Sequence, residues 1–414
     1  MSNGLLDRFN GARFPATPRN EVDPPATDSA DLPHRRRQAA RNNASEAAVP
    51  GDGVELPTNA SSILAEVAAR QRPGSLRRHL SALLSLTKPR LTVLVVLTAV
   101  APYALYPVPS ILSSTALADA PSLSPLTLAF LTAGTALSSA AANALNMLYE
   151  SATDARMART RNRPLVTGLV SRRAALLFAL AAGVAGVAAL HFGVNPTVAF
   201  LGAANIVLYA GVYTPLKRLS VANTWAGALV GGVPPLMGWA AAAGECAEGD
   251  GGWRELLLQG PAAPGGWLFA ALLFAWQFPH FMALSWGVRK DYRAAGLRML
   301  AWVDPARNAR VALRYSLAFV PLCVALCAAG VTEWSFAATS LPVNAWLARE
   351  AVRFWRHEGH AGSARGLFWA SVWHLPAVMV LALLQKKGMW GRVWRSVAGE
   401  PDLDDEWEDA DDGR

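Results

Sequence analysis

The feature that most constrains this chain is a series of long apolar segments that fills its middle. A helix needs about 20 mainly apolar residues to cross a bilayer, and nine stretches approach that length. We predict membrane spans over 91–107, 126–147, 173–193, 197–213, 223–243, 266–288, 310–330, 332–347 and 366–385. The eighth span is short and contains Pro342. The sequence therefore predicts an all-α polytopic membrane protein with about nine transmembrane helices.

The charged residues support this arrangement. Only 16% of the chain is charged, against roughly 25% in soluble domains. Nearly all basic loop residues follow spans 2, 4, 6 and 8, whereas the opposite loops carry only Arg254 beside several acids. Basic loops stay on the cytoplasmic or matrix side of a membrane, so the N-terminus is expected on that side. The net charge of +8 then reflects topology, and nucleic acid is not expected as a partner.

The two ends of the chain have a different composition. Residues 1–85 are rich in Pro, Arg, Ala, Ser and Asn, which predicts a disordered region. Arg8, Arg13 and Arg19 alternate with Leu and Phe, as in a mitochondrial transit peptide, although a plain disordered tail is the alternative. Residues 388–414 form a polar, acidic tail. The membrane domain is thus predicted over residues 86–387.

Three polar residues lie at the basic-side end of the second span. Asn146, Glu150 and Asp154 are spaced four residues apart, so on a helix they stay within about 80° of one another. Two neighbouring carboxylates repel each other and resist desolvation, and a divalent cation removes both problems. Mg²⁺ prefers one or two carboxylates together with phosphate oxygens. We therefore predict a Mg²⁺–phosphate site here, with the arginines of the segment 159–163 as further anion ligands; a solvated, interfacial pair of acids is the alternative.

Two further segments face the same side. In "WQFPHFMALSWGVRKDY", His280 and Asp291 are eleven residues apart, which in an unbroken helix separates them by about 20°. Arg289 and Lys290 lie beside Asp291. In "YTPLKRLSVANT", the loop after the fourth span, Lys217 and Arg218 either bind a diphosphate or serve only as topology determinants. Together these segments suit a substrate with a diphosphate head and a lipid tail.

Three blocks of the sequence resemble the signatures of a known family. The patterns NxxxExxxDxxMxRTxxRP, YTPLKRxSxxNTxxGAxxGGxPPxxGW and WQFPHFxALxW…DY are similar to those of UbiA-type membrane prenyltransferases, over roughly residues 85–385. The resemblance implies a helical bundle around a central cavity. Glu150, where other members usually have Asp, is typical of the eukaryotic mitochondrial form. His280, where members acting on quinone precursors have Asp, favours haem as the acceptor.

The resemblance also implies an activity and its residues. The expected reaction transfers farnesyl from farnesyl diphosphate to the vinyl group of haem B, giving haem O, with Mg²⁺ as cofactor. The enzyme is then expected in the mitochondrial inner membrane, with the basic loops in the matrix and haem A synthase as a candidate recipient of the product. The expected catalytic residues are Asn146, Glu150, Asp154, His280 and Asp291. The expected metal ligands are Glu150, Asp154, Asn146 and Asp291. The expected diphosphate ligands are Arg159, Arg163, Lys217, Arg218, Arg289 and Lys290.

The acceptor side is left more open. His280 either ligates the haem iron, orients the porphyrin or completes the second polar site, and Trp276 and Tyr213 are weaker candidates for haem contact. The main alternative function is prenyl transfer to a phenolic or quinone acceptor. A transporter is a second alternative, since intramembrane charges and kinked helices also occur there, but the polar residues crowd one membrane face rather than the midplane. A structural assembly subunit has no use for aligned acids.

Overall fold

The computed structural model describes residues 60–72, 74–107 and 123–398, and this part of the chain is helical throughout, with one isolated β-bridge between Thr332 and Lys386. The predicted transit peptide and most of the acidic tail lie outside the described residues. The helices are α1 (Ala60–Ala69), α2 (Leu76–Leu86), α3 (Pro89–Leu105), α4 (Pro125–Asp154), α5 (Arg172–Gly193), α6 (Pro196–Val207), a π-helix (Leu208–Tyr213), α7 (Thr214–Leu219), α8 (Asn223–Glu245), α9 (Trp253–Leu258), α10 (Ala263–Gly287), α11 (Arg289–Ala294), α12 (Leu300–Val303), α13 (Pro305–Leu317), α14 (Phe319–Ala328), α15 (Ser335–His357), α16 (Ser363–Leu384) and α17 (Met389–Ala398).

Each of the nine predicted spans corresponds to a helix or to a continuous series of helices. Among the described residues, seven such segments are long and apolar enough to cross a membrane, and the pair α2–α3, bent by 56°, makes an eighth if it is one span. The eighth predicted span, 332–347, corresponds to α15, which is 23 residues long but charged in its second half. The prediction of a polytopic helical membrane protein is confirmed, and the number of spans is seven or eight by length and composition.

Two parts of the structure differ from the sequence prediction. The region predicted to be disordered up to residue 85 contains α1 and α2, because Ala68, Ala82 and Leu86 bury themselves against Ala144 and Met147 of α4. The polar tail likewise begins with a helix, α17. The packed part of the chain therefore extends beyond the predicted boundaries at 86 and 387.

Helix ends are fixed by side chains that cap free backbone groups. Ser124 and Ser171 accept hydrogen bonds from the backbone N–H groups in the first turns of α4 and α5. At the end away from the basic loops, Glu245 of α8 accepts from the backbone N–H of Ser124 at 2.8 Å and from the hydroxyl of Tyr103 at 2.9 Å. A carboxylate at a helix N-terminus is favoured by the helix dipole. These contacts tie α3, α4 and α8 together and fix where α4 begins.

Small residues bring the central helices close together. The α-carbon of Gly238 on α8 lies so near α3 that an added Cβ would stand 1.8 Å from the carbonyl oxygen of Ala99. Trp239, fully buried, packs its indole against Tyr106 and Phe269. Close approach through glycine is the usual basis of helix packing in membranes. The contact sets the position of α3, which begins at Pro89 next to the candidate site.

Candidate functional site

The predicted carboxylate face exists and is buried. Glu150 and Asp154 lie in the last two turns of α4, with 7% and 3% of their surface exposed. Each carboxylate binds one cation: Lys217 donates to Oε1 of Glu150 at 2.8 Å, and Arg163 donates to Oδ2 of Asp154 at 2.6 Å. Buried charges are tolerated only when paired. The two ion pairs therefore balance the charges of the two carboxylates.

Asn146, one turn further into the membrane, belongs to a separate hydrogen-bond network. Its Oδ1 accepts from the ammonium of Lys88 at 2.6 Å, and its Nδ2 donates to Thr214 Oγ1 at 3.0 Å. Lys88 also donates to the hydroxyl of Tyr209 at 3.3 Å, and that hydroxyl donates to Asn143 Oδ1 at 3.3 Å. The amide thus links α3, α4 and the helix that follows the π-helix. Its oxygen already faces a cation, so orienting Lys88 is the role that this geometry supports.

The backbone at this site departs from regular helix in two places. Lys88 separates α2 from α3 in a left-handed conformation with φ of 50°, which costs a non-glycine residue of the order of 1 kcal/mol. The π-helix then presents Tyr209 towards Lys88 and Tyr213 towards Lys217, whose ammonium lies 4.5 Å from the Tyr213 ring centroid. π-helical turns are frequent at functional sites because they redirect side chains.

The loop predicted after the fourth span is partly helical. Lys217 and Arg218 lie on α7, which continues the same 24-residue segment Pro196–Leu219 beyond the π-helix. This continuity allows Lys217 to reach Glu150. The guanidinium of Arg218 is exposed; it donates to Thr153 Oγ1 and lies 5.4 Å from the Tyr149 ring centroid. Arg159 is half-buried, and its carbonyl oxygen accepts from Ser62 of α1.

His280 lies deeper in the bundle, on α10, packed against α16. Its ring stacks on Trp276 with centroids 4.6 Å apart, and its Nδ1 lies 3.0 Å from Ser371 Oγ. The single proton of the Ser371 hydroxyl is already donated to the carbonyl of Phe368 at 2.6 Å. A neutral imidazole that donates from Nδ1 to Ser371 completes this arrangement. The neutral ring then presents Nε2 as a lone pair, which is the form that binds iron or accepts a proton.

The assumption of an unbroken helix from His280 to Asp291 is wrong. Helix α10 ends at Gly287, and Asp291, Arg289 and Lys290 lie on the short helix α11 after a break at Val288. Asp291 is half-buried, Lys290 is exposed, and the Arg289 guanidinium lies 3.9 Å from the Trp286 ring centroid. His280 and Asp291 therefore do not share one helical face.

The three predicted segments nevertheless meet at one end of the bundle. Met157, just after α4, packs in one apolar cluster with Tyr292 of α11. The backbone N–H of Arg298 donates to the carbonyl of Lys217 at 2.8 Å, and Asn223 at the start of α8 donates to the carbonyl of Arg298 at 2.9 Å. The ends of α4, α7 and α11 are thus braced against each other.

The carboxylates of the site are too few to enclose a magnesium ion by themselves. Within the described ranges, no group of three His, Cys, Asp or Glu side chains lies close enough to hold a metal. Glu150, Asp154 and Asp291 therefore do not form a three-carboxylate centre. Mg²⁺ needs fewer protein ligands when a phosphorylated substrate supplies the rest. Two carboxylates one helical turn apart, with phosphate oxygens, fit that requirement.

Two residues of the site were missed at the level of sequence. Lys88 precedes a proline and begins an apolar segment. A cation at the start of a membrane span is usually interpreted as a topology determinant. Ser371 is an ordinary small residue of a membrane span. The clue to Lys88 is the pair Lys88–Pro89, since the residue before a proline is turned away from helical geometry. No comparable signal marks Ser371.

Fold and site together define a class: a helical membrane protein with a buried, mixed-charge polar site at the ends of several spans. The comparison with family models agrees, since the model described as the UbiA prenyltransferase family matches residues 107–372. The chain belongs to the UbiA prenyltransferase family.

Similar proteins from three fungi support the assignment. The chain is 72% identical over 358 residues to a Neurospora crassa protein named protoheme IX farnesyltransferase, mitochondrial, covering 86% of this chain and 70% of that protein. A Pyricularia oryzae protein of the same name is 77% identical over 334 residues, covering 80% of this chain and 60% of that protein. The one from Gibberella zeae is 67% identical over 382 residues, with 91% and 75% covered. The chain thus spans about 60–75% of the length of these relatives.

Solved structures share the fold at low sequence identity. A digeranylgeranylglyceryl phosphate synthase superposes with a TM-score of 0.58 at 11% identity, covering 74% of this chain and 98% of that one. The apo structure of a UbiA homologue from Aeropyrum pernix K1 gives 0.53 at 21% identity, with 70% and 98% covered. These similarities confirm the prediction of a UbiA-like helical bundle.

Proposed function

We propose that this chain transfers the farnesyl group of farnesyl diphosphate to the vinyl group of haem B, giving haem O, in the mitochondrial inner membrane. The names and high identities of the fungal relatives support the substrates and the organelle. The observation that carries the proposal is the buried pairing of Glu150 and Asp154 with Lys217 and Arg163. It supplies both the acids that hold a metal and the cations that hold a diphosphate.

The ion pairs can exchange partners without leaving any charge unbalanced. Glu150 and Asp154 would hold a Mg²⁺ ion that accompanies the diphosphate, and Lys217 and Arg163 would then donate to phosphate oxygens. Bound Mg²⁺ would neutralise charge on the leaving group as a Lewis acid. Lys88 and Arg218 lie beside the pairs and add positive charge on the same side.

Catalysis then consists of stabilising a departing anion. As the C–O bond of farnesyl diphosphate breaks, negative charge grows on the diphosphate. The fixed cations therefore stabilise the transition state more than they stabilise the ground state. The allylic cation adds to the vinyl group of haem, and water captures the new carbocation and releases a proton. The sum is farnesyl diphosphate plus haem B plus water, giving haem O, diphosphate and a proton.

The acceptor binds on the side of His280 in this proposal. The unprotonated Nε2 suits the iron of haem B, with Nδ1 held by Ser371. Trp276 stacks on the imidazole and donates its indole N–H to the carbonyl of Ser371 at 2.8 Å, which holds α10 against α16. The basic end carries Asp291, Arg289 and Lys290. The haem propionates, or part of the diphosphate, would lie beside these residues in contact with water. A haem A synthase is the proposed recipient of the product.

The decisive test is extraction of haem from a host that lacks its own enzyme of this type. With the chain, haem O should accumulate; with Asp154→Asn it should not, although the protein is present in the membrane at an equal level. Isolated membranes should make haem O only when farnesyl diphosphate, haem B and Mg²⁺ are all added. Prenylation of 4-hydroxybenzoate in place of haem would overturn the choice of acceptor.

A further inference from the structure

A groove lies on the side of α4 that faces away from the carboxylates of the candidate site. It has a volume of about 570 Å³, which is within the range of pockets that bind small molecules. The groove runs between α4, α5 and the π-helix, and its walls are formed by Leu145, Leu148, Leu176 and Gly211. An apolar channel of this kind, open towards the bilayer, suits a hydrocarbon chain.

The basic end of the groove carries two arginines. Arg172 and Arg173 begin α5 and are both exposed. Arg172 reaches across to α4, where it donates to Ser151 Oγ at 3.3 Å and to the carbonyl of Leu148 at 3.4 Å. No carboxylate of the described residues forms an ion pair with either arginine. Within the described ranges no acid therefore balances their charge, and the N-terminus of the 22-residue helix α5 adds to the attraction for an anion.

We propose that this groove binds an anionic phospholipid, with its phosphate on Arg172 and Arg173 and one acyl chain along Leu145, Leu148 and Leu176. The pairing of an apolar groove with two basic side chains at the level of the membrane surface is what such a lipid recognises. A free phosphate would not contact the apolar walls of the groove, and a neutral lipid would not form ion pairs with the arginines.

The groove is distinct from the candidate catalytic site. At 100° per residue, the mean direction of Leu145, Leu148 and Tyr149 lies roughly 150° around α4 from the mean direction of Asn146, Glu150 and Asp154. The two sites nevertheless share walls. Tyr149 lines the groove while its ring faces the Arg218 guanidinium, and the π-helix contributes Gly211 to the groove and Tyr213 to the contact with Lys217. A bound lipid therefore supports the helices that position the ion pairs, and we expect it to raise activity.

The test is lipid retention by the purified full chain. The protein is reconstituted in nanodiscs of phosphatidylcholine and phosphatidylglycerol in equal parts, returned to detergent, and the lipid that remains bound is measured by mass spectrometry. The wild type should retain phosphatidylglycerol over phosphatidylcholine. Arg172→Ala combined with Arg173→Ala should lower that retention by the order of tenfold.

Two further variants separate the parts of the site. Arg349→Ala with Arg356→Ala removes two exposed arginines of α15 and should leave retention unchanged. Leu176→Trp fills the groove while keeping both arginines, and it should lower retention as the double variant does. Equal retention by the double variant and its control, or no effect of Leu176→Trp, would contradict the proposal. Displacement of the lipid by inorganic phosphate would reduce the site to a phosphate site, and stoichiometric displacement by farnesyl diphosphate would assign the groove to the substrate; either result overturns it.

Discussion

At the scale of single residues, the site is a set of exchangeable ion pairs. Glu150 and Asp154 are buried and already have cationic partners, so removing one partner leaves an uncompensated charge inside the protein. Such a loss typically costs about 3–5 kcal/mol for a buried pair. Mutations here thus have two consequences, on stability and on turnover, and the experiments must separate them.

Asp154→Asn removes a charge that the proposed metal needs while preserving shape. We expect haem O formation to fall by about a hundredfold or more, as when an electrostatic contact to a transition state is lost. The measurement is initial rate in isolated membranes across a Mg²⁺ titration. Glu358→Gln changes an exposed acid on the same side and is the matched control. Wild-type turnover by Asp154→Asn would exclude the metal role assigned to this carboxylate.

Lys217→Ala should act on substrate binding. The ammonium donates to Glu150 now and would donate to the diphosphate later, and a charge-assisted bond is worth about 1.5–3 kcal/mol, or roughly tenfold to a hundredfold in KM for farnesyl diphosphate. Loss of the partner of Glu150 should also lower the melting temperature. Arg218→Ala, which changes an exposed neighbour, should have a smaller effect on both quantities. An unchanged KM would count against phosphate contact by Lys217.

Ser371→Ala should affect the acceptor rather than the donor. Without the hydroxyl, Nδ1 of His280 loses its acceptor and the ring is free to take the other tautomer or to rotate. We expect a raised KM for haem with an unchanged KM for farnesyl diphosphate, and an altered absorption spectrum of bound haem. Ser371→Thr keeps the hydroxyl and should restore both the spectrum and the KM. A spectrum that is the same in Ser371→Ala and the wild type would show that His280 does not hold the iron through this arrangement.

At the scale of elements, most spans follow directly from the sequence. Apolar length and the alternation of basic loops predict the helical segments, because the bilayer requires every backbone group to be satisfied inside the helix. Seven or eight of these segments in the described residues are long and apolar enough to cross a membrane. The spacing of Asn146, Glu150 and Asp154 was sufficient to predict a common face, which the structure brings about. Local periodicity in the sequence is therefore sufficient to predict the helical fold and the carboxylate face of the site.

The failures have a common physical cause: they depend on contacts between distant segments. Helices α1 and α2 are not apolar enough to be noticed alone and are fixed by burial against α4. The break at Val288 follows Gly287 and coincides with the packing of Val288 against Met157 and Tyr292. Helix α7 is held in place by the hydrogen bond from the Arg298 N–H to the Lys217 carbonyl. Lys88 enters the site only because its strained backbone turns the chain between α2 and α3.

The contact of α3 with α8 offers a test at this scale. Gly238→Ala places a methyl group against the Ala99 carbonyl, where the helices have no room, and overpacking of this kind costs typically about 1–3 kcal/mol. We expect a lower melting temperature in detergent and reduced activity, since Lys88 lies at the start of α3. Gly183→Ala, whose added methyl would be 3.4 Å from Ala141, is the control and should be neutral. Equal melting temperatures for the two variants would show that the helices can separate without loss.

At the scale of the whole molecule, charge is distributed unevenly between the two ends of the membrane domain. The ion pairs, the basic loops and the two arginines of the groove lie at the same end, while Glu245 and the acidic loop lie at the other. A diphosphate made in an aqueous compartment reaches its ligands only from the basic end. The direction of insertion therefore decides which compartment supplies the donor, and the matrix is the side that we propose.

The three cysteines of the chain make this orientation measurable. Cys246 lies just beyond α8 at the end away from the basic loops, whereas Cys323 and Cys327 are buried. In mitochondria stripped of their outer membrane, a membrane-impermeant maleimide should label Cys246 from outside. Burial raises the pKa of the Cys246 thiol, so less thiolate is present at a given pH and labelling should increase as the pH rises. Cys246→Ser should abolish the signal.

The opposite end is tested by the same reagent. Arg161→Cys in the Cys246→Ser background places a thiol on the basic side, where residue 161 is exposed. We expect labelling of this variant only after the inner membrane is permeabilised, because in the proposed orientation its loop faces the matrix. Labelling from outside in the intact state would show that the protein has the opposite orientation. The diphosphate donor would then have to come from the intermembrane space. The accessibility of these two positions thus determines the compartment in which the ion pairs exchange their partners.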